Sequence, residues 1–235
     1  QTTESMQQAR QLFEQAIALD PEYARGYVGL ADTLLLLAEG DTVVEGFGAI
    51  DKDIAVSLAQ QNIERALKRQ PELAEAFAVK GLINFMQNKF PQAIVDFEQA
   101  IELNPSLTIA YMWKYVALNS LQRFDESLLA LQKSHELDPL FLTNSYNLGH
   151  ALTRLGRFDD AAGIFKQIKI DHPESTFSYL GLADIYFSQG NLVGVIAEIR
   201  QAIKLSPDDK RLVGKVAFPM LQLGLTDIVK AKSSD

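Results

Sequence analysis

Three histidines, His135, His150 and His172, are the side chains of this chain best suited to acid–base chemistry or metal binding. A metal site on one helix needs a second ligand three or four residues away, because only those spacings share a helix face. The sequence contains no His-x3-His and no Glu-x2-His pair. We therefore expect no metal site, and the isolated histidines do not predict a catalytic one.

Other motifs of enzymes are missing from the sequence as well. There is no phosphate-binding Gly-x4-Gly-Lys loop and no Gly-x-Ser-x-Gly elbow, and Gly46-Phe47-Gly48 lacks the third glycine of a dinucleotide-binding turn. The carboxylates Asp159 and Asp160 stand at a predicted helix start, where capping and the helix dipole explain them. The sequence thus predicts a protein that is not an enzyme and needs no cofactor.

The elements that position any functional side chain repeat along the chain. Five prolines follow one another at intervals of 34 residues: Pro71, Pro105, Pro139, Pro173 and Pro207. A sixth, Pro21, lies 50 residues before the first of them. Because the residue before a proline is biased away from the helical conformation, each proline marks a helix end. A fixed period of this length indicates stacked supersecondary units rather than one closed core.

Large and small apolar residues alternate within each period. In residues 74–107 the large positions are Phe77 and Phe97, and the small positions include Gly81 and Ala93. Small residues let two helices approach closely, and large residues fill the space between neighbouring helices.

A turn halfway along each unit divides it into two helices. Gly156 and Gly190 lie in such turns and are suited to the left-handed conformation that ends a helix. Asp125 and Asp159 follow two of the turns, and we expect them to cap the next helix.

This pattern resembles the tetratricopeptide repeat, a 34-residue helix–turn–helix unit. The phrases Tyr179-x2-Leu182-Ala183-x2-Tyr186 and Leu148-Gly149-x2-Leu152 follow the family pattern closely. The resemblance implies an all-α fold, a right-handed superhelical α-solenoid of antiparallel helix pairs. It also implies a non-catalytic scaffold for protein–protein interaction.

Residues 1–235 are interpreted as a single array of such repeats. The predicted parts are the second helix of a truncated repeat at 4–21, a repeat at 24–73 with a 16-residue insertion near 39–56, full repeats at 74–107, 108–141, 142–175 and 176–209, and degenerate capping helices at 210–235. Asp51 or Asp53 is expected to begin a long helix after the insertion, and Pro219 to kink or restart the last one. Because residues 4–21 have no first helix, we expect a piece of a longer protein or a start that something else covers.

Composition narrows the classes of partner. The net charge of −8 argues against a nucleic-acid surface, which is usually basic. No run of 18 apolar residues occurs, so we expect no direct membrane insertion. The chain has no cysteine, which fits either an oxidising or a reducing compartment and so leaves its location open.

The family architecture implies a concave groove lined by the first helices. The candidate residues for binding a partner there are Phe85, Ile109, Met112, Trp113, Val116, Tyr146, Asn147, His150, Arg154, Phe177, Leu180 and Asp184. This apolar and aromatic lining favours a protein or peptide segment with apolar anchors. Some members of the family hold acidic C-termini in a two-carboxylate clamp, but only Asn147 matches its residues.

Three alternatives remain open at this point. The groove aromatics could pack on one another instead of on a partner. His150, Arg154 and Asp184 could be the polar groups of a small-ligand sensor. The chain could also form a homo-oligomer through uncovered apolar residues near its ends, which are Leu12, Phe13, Phe218 and Met220.

A narrower resemblance concerns cellular context. The phrase at residues 23–32 and the insertion after it are similar to the C-terminal repeat regions of bacterial membrane-anchored winged-helix regulators and adenylate cyclases. This resemblance implies a periplasmic sensory or partner-binding domain.

Overall fold

The computed structural model of the chain describes residues 3–38 and 50–222, which form twelve α-helices. The helices are α1 (Thr3–Leu19), α2 (Ala24–Leu36), α3 (Lys52–Arg69), α4 (Ala74–Met86), α5 (Phe90–Leu103), α6 (Thr108–Ser120), α7 (Phe124–Leu137), α8 (Leu142–Arg154), α9 (Phe158–Asp171), α10 (Phe177–Ser188), α11 (Leu192–Leu205) and α12 (Lys210–Gln222). The only β-type pairing within these residues is an isolated bridge between Ala38 and Ile50. The all-α solenoid predicted from the sequence is confirmed.

The helices form two compact units, unit 1 (Gln1–Ser134) and unit 2 (His135–Asp235). In unit 1, α2 packs on α3 and α4 packs on α5, and each second helix also contacts the next first helix. In unit 2, α8 packs on α9 and α10 packs on α11 in the same way. Contacts confined to the same repeat and the adjacent one are the packing pattern of stacked helical repeats.

Buried phenylalanines fill the space that glycines leave open. Phe97 and Phe165 are fully buried. A Cβ atom on Gly81 would collide with the Phe97 ring, and one on Gly149 or Gly181 would collide with Phe165. The predicted alternation of large and small residues therefore has a direct steric cause.

The turn within each of the four repeats between residues 74 and 209 places one residue in the left-handed region, and these residues recur every 34 positions. They are Asn88 and Gln122, both with φ of 59°, Gly156 with φ of 73° and Gly190 with φ of 71°. The next backbone N–H closes each turn, as Arg157 N–H does on Leu152 O at 2.9 Å. The prediction for the two glycines is confirmed, whereas Asn88 and Gln122 adopt the same conformation without being glycine.

The second helix of the insertion-bearing repeat is longer than its counterparts. The side chain of Asp51 caps α3 by accepting hydrogen bonds from the backbone N–H groups of Asp53 and Ile54. In the 34-residue register, α3 begins four residues earlier than α5, which adds one turn. Ile50 N–H donates to Leu37 O at 2.9 Å and so ties the ends of the insertion together. The expected loop at 40–48 lies outside the described residues.

The prediction that Asp125 and Asp159 cap the helices after them is wrong. Asp125 and Asp159 do not precede their helices, because α7 begins at Phe124 and α9 at Phe158, so both carboxylates lie in a first turn. There they face the positive end of the helix dipole. At Pro219 the sequence predicts a kink or a restart; α12 runs from Lys210 to Gln222 as one helix, so the restart does not occur.

Of the four apolar residues expected to be uncovered near the chain ends, the structure describes the side chains of Leu12 and Phe13 only. On α1, Leu12 is 65% exposed, whereas Phe13 is half-buried against Gly29 of α2. The side chains of Phe218 and Met220, and a predicted last helix at 225–231, lie outside the described residues. No helix in the described ranges is both long and apolar enough to cross a bilayer.

Candidate functional site

The first helices of consecutive repeats lie side by side within each unit, α2 beside α4 and α4 beside α6 in unit 1, and α8 beside α10 in unit 2. We call the side of these helices that carries the predicted site residues the unit 1 face and the unit 2 face. The unit 1 face carries Phe85, Ile109, Met112, Trp113 and Val116, and the unit 2 face carries Tyr146, Asn147, His150, Arg154, Phe177, Leu180 and Asp184.

Helical spacing places the α6 members of the unit 1 face on one stripe. Ile109, Met112, Trp113 and Val116 follow one another at i, i+3, i+4 and i+7. Ile109 is exposed, and the other three are half-buried. The stripe therefore presents apolar surface to solvent while part of each side chain packs on the protein.

Aromatic rings from α4 and α6 meet on the unit 1 face. The ring centroids of Phe85 and Trp113 are 5.8 Å apart with a tilt of 48°, and Phe90 lies 5.4 Å from Phe85 on its other side. Phe85 and Trp113 also pack on the core between α2, α3 and α4. The core holds one side of these rings, and both side chains stay half-exposed.

The unit 2 face is organised around Tyr146. Its ring stacks on Phe177 from the neighbouring first helix, with centroids 4.4 Å apart and planes at 25°. It meets His150 edge-on at 4.3 Å, and His150 in turn meets the buried Phe165 at 5.6 Å. The structure thus brings these predicted residues together, and it shows that the groove aromatics do pack on one another within each unit while remaining partly exposed.

The surroundings of His150 disfavour the charged form of its imidazole. Nδ1 lies 3.5 Å from Oδ2 of Asp184, and Nε2 is buried and finds no hydrogen-bond partner among the residues that the structure describes. Burial lowers the pKa of His150, Asp184 opposes this effect, and the positive charges of Arg154 and Lys215 reinforce it. The Asp184 carboxylate itself is partly exposed.

The phenol of Tyr146 is also neutral at pH 7. Burial, followed by the charge of Asp184, raises the pKa of Tyr146 to about 12. A phenol with this pKa keeps its proton, so it can serve as a hydrogen-bond donor on the unit 2 face.

The remaining predicted residues have supporting positions. Leu180 packs on the core between α10 and α11. Arg154 is exposed at the end of α8, and Asn147 is half-buried beside Tyr146 in the chain. Within residues 3–38 and 50–222, no group of three His, Asp or Glu side chains is placed to hold a metal ion.

One residue of the unit 1 face was missed from the sequence. Asp32 of α2 is exposed, and desolvation by the surrounding protein raises its pKa. It occupies the repeat position that Leu82, Val116, His150 and Asp184 occupy in later repeats. These four residues are 34 positions apart, and Asp32 precedes Leu82 by one repeat plus the 16-residue insertion. Extending the 34-residue register back across the insertion would have identified Asp32 from the sequence.

Comparison with family models and solved structures agrees with this geometry. Tetratricopeptide repeat models match residues 74–107 and 146–210. No curated protein sequence matches the chain.

The solved structures with a similar fold are repeat proteins of low sequence identity. YrrB, described as a tetratricopeptide repeat protein with an unusual peptide-binding site, is 19% identical with a TM-score of 0.61, and the match covers 86% of this chain and 96% of YrrB. The type IV pilus biogenesis factor PilW is 19% identical with a TM-score of 0.68, over 89% of this chain and 90% of PilW. A tetratricopeptide repeat protein from Parabacteroides merdae is 17% identical with a TM-score of 0.66, over 76% of this chain and 71% of the other.

The 34-residue period, the helix pairs and the two matching models lead to one assignment: the chain is an α-solenoid of tetratricopeptide repeats, a scaffold for protein–protein interaction.

Proposed function

We propose that this scaffold binds a protein segment, either an extended peptide or a helix, on the apolar faces of its first helices. The observation that carries the proposal is the pairing of half-exposed aromatic rings across neighbouring first helices, Phe85 with Trp113 and Tyr146 with Phe177. Each pair presents apolar area that water contacts in the free protein, and a partner would bury it at about 25 cal/mol per Å².

Rigidity adds to the value of these rings as anchors. Trp113 is held by Phe85 and by the core, and Tyr146 is held by Phe177 and His150. Side chains that are fixed before binding lose little rotamer entropy on association, so more of the burial energy becomes affinity. Tyrosine and tryptophan are also the residues most enriched at the energetic centres of interfaces.

The fold is compatible with peptide binding, because YrrB, which has a peptide-binding site, shares it. At 19% identity this likeness concerns the fold alone, so it places no partner on this chain. The face residues themselves carry the argument.

A charge placed on each face tests the proposal. Met112→Asp on the unit 1 face and Phe177→Asp on the unit 2 face should each reduce capture of partner proteins from the native host, because a carboxylate cannot be buried against apolar anchors. The matched controls are Val95→Asp on α5 and Val193→Asp on α11, since both valines are exposed on second helices. Loss of capture in the face variants alone supports the proposal. Equal capture by all four variants contradicts it.

Self-association is a second candidate function, favoured by α1. Leu12 is 65% exposed and Leu19 is 88% exposed, and their spacing of seven places them on one helix face. Sedimentation equilibrium of the wild type and of Leu12→Asp tests this. A concentration-dependent dimer that the substitution abolishes supports it, and a monomer mass at all concentrations removes it.

A third candidate is the periplasmic partner-binding domain of a membrane-anchored regulator or cyclase. The likeness of residues 23–32, of residues 137–140 and of the insertion before α3 to such proteins favours it. The coding sequence upstream of Gln1 tests it, because a membrane-spanning helix after a winged-helix or cyclase pattern would support this context and any other domain would oppose it.

A further inference from the structure

Asp32 is unusual among the acidic side chains on the first helices of unit 1. The carboxylate of Glu75 lies 3.7 Å from Arg25, whereas Asp32 forms no hydrogen bond and no ion pair with any residue the structure describes. It is exposed to solvent on α2, yet the surrounding protein desolvates it enough to raise its pKa.

Helical geometry places Asp32 at the edge of the apolar part of the unit 1 face. Val28 and Leu35 stand four residues before it and three residues after it, so the three side chains share one side of α2. Both neighbours are buried in the same core cluster as Leu82 of α4, and Phe85 and Trp113 pack on that cluster. Asp32, which has no ionic or hydrogen-bonding partner among the described residues, therefore lies on the first helix next to α4, the helix that carries Phe85.

An arrangement of this kind costs stability in the free protein. A carboxylate that loses hydration without gaining a cation or a hydrogen-bond donor raises the free energy of the folded state. A cation brought by a partner would restore the lost interaction, and it would do so where the surrounding apolar surface lowers the effective dielectric.

On the basis of the binding function proposed above, we propose that the unit 1 face recognises a protein segment that carries a Lys or Arg side chain beside its apolar anchors. Asp32 accepts that cation, while the stripe formed by Ile109, Met112 and Val116 and the Phe85–Trp113 pair hold the apolar side chains. Asp32 is thus a specificity determinant, and the apolar stripe supplies most of the affinity.

The charge distribution favours a basic segment over a metal ion. Residues 1–134 contain 11 basic and 18 acidic residues, a net charge of 11 − 18 = −7, whereas residues 135–235 carry 11 − 12 = −1. The excess negative charge of unit 1 attracts a basic segment during encounter. A lone carboxylate beside apolar side chains does not suit a divalent cation, which needs several oxygen ligands.

The first part of the test is selection of random 16-residue peptides, displayed on phage, against the immobilised full chain. The wild type, Asp32→Asn, Met112→Asp and the control Glu102→Gln are screened in parallel. Glu102 is an exposed acidic residue on the second helix α5, so its substitution changes the net charge by the same amount away from the face. We expect the wild type and Glu102→Gln to enrich peptides with apolar anchors and a Lys or Arg at a fixed spacing from them.

The variants separate this inference from the proposed function. Asp32→Asn should still enrich peptides with apolar anchors, but these peptides should lack the basic residue. Met112→Asp should enrich neither the apolar anchors nor the basic residue. Enrichment of basic residues that Asp32→Asn leaves unchanged overturns the role of Asp32 and leaves the proposed function standing. No enrichment on the wild type, or enrichment that Met112→Asp does not reduce, overturns both.

The second part measures the preference with one selected peptide and its analogue that has norleucine in place of the basic residue. Trp113 is the only tryptophan and lies in the site, so its fluorescence reports binding directly. The wild type should bind the basic peptide about tenfold more tightly than the norleucine analogue, a difference of ~1.4 kcal/mol.

Charge reversal provides the decisive comparison. Asp32→Asn should bring the ratio of the two affinities close to one, and Asp32→Lys should favour an analogue with Glu at the same position. The wild-type ratio should also fall as salt is raised, because the contact is partly exposed. A ratio near one in the wild type, or a tenfold ratio that survives in Asp32→Lys, refutes the inference.

Discussion

The Lys80 ammonium of α4 lies 2.8 Å from the Asp96 carboxylate of α5, and that carboxylate is only 4% exposed. Asn84 Nδ2 also donates to Asp96, to its other oxygen, at 2.6 Å. The Lys80 side chain is partly open to solvent, so the pair has one buried and one accessible member. This asymmetry decides what each substitution does.

Lys80→Met should destabilise unit 1 by about 2 kcal/mol, because it leaves the Asp96 charge buried with Asn84 as its remaining partner. Urea unfolding followed by Trp113 fluorescence measures this, since the tryptophan lies in unit 1. The double variant Lys80→Met/Asp96→Leu should recover most of the loss, because no buried charge remains. A single variant as stable as the wild type would contradict the importance of the pair.

Gln122→Gly should stabilise the protein by about 1 kcal/mol. Gln122 has a φ of 59°, where a side chain is strained and glycine is not. Gly156→Ala is the matched opposite change, and it should destabilise by about 1 kcal/mol without a clash, because nothing lies within 4 Å of its Cβ position. Thermal unfolding by circular dichroism measures both, and a lower Tm for Gln122→Gly would show that its side chain makes a contact that outweighs the strain.

Asp32 should titrate above its usual pKa of 3.8 because of desolvation. A raised pKa means that ionisation of Asp32 lowers the free energy of unfolding. This loss of stability is absent below pH 3.8 and develops as the pH rises from 3.8 through the folded-state pKa. Asp32→Asn should therefore raise the urea midpoint at pH 7. Carboxyl ¹³C shifts give the pKa itself, and a value at or below 3.8 would show that the group is not desolvated.

His150 should titrate below its usual pKa of 6.5, mainly because it is buried. Since protonation then favours the unfolded state, unit 2 loses stability as pH falls from 6.5 through the folded-state pKa, and it is most stable above pH 6.5. Imidazole proton shifts measured by NMR report the pKa. Asp184→Asn should lower it further, because the neighbouring carboxylate favours the charged imidazole; a rise in that variant would contradict the assigned contact.

Much of the fold could be predicted from spacing alone. The prolines that recur every 34 residues, such as Pro105, each follow a helix end, and glycines such as Gly81 and Gly149 mark where a buried phenylalanine needs room. These are local rules with strong steric causes, so the repeat boundaries follow from them. Asp125 and Asp159 illustrate the limit, because a one-residue difference in where a helix begins separates a cap from a first-turn residue.

The candidate site could be predicted only in part. Register placed Trp113 and Tyr146 on first helices, but their ring contacts depend on how α4 lies on α6 and α8 on α10, which the pattern of one helix does not specify. Asp32 was missed because the insertion interrupts the 34-residue register, and its lack of a cationic partner is a property of the folded chain.

The most direct test of the account is the set of backbone amide shifts that change when the selected basic peptide is added to the isotope-labelled protein. We expect the changes at residues 109–116 of α6 and around Asp32 and Phe85. We do not expect them to be confined to the exposed sides of the second helices. Changes limited to α3 and α5, with the first helices unaffected, would contradict the claim that the first-helix faces bind the partner.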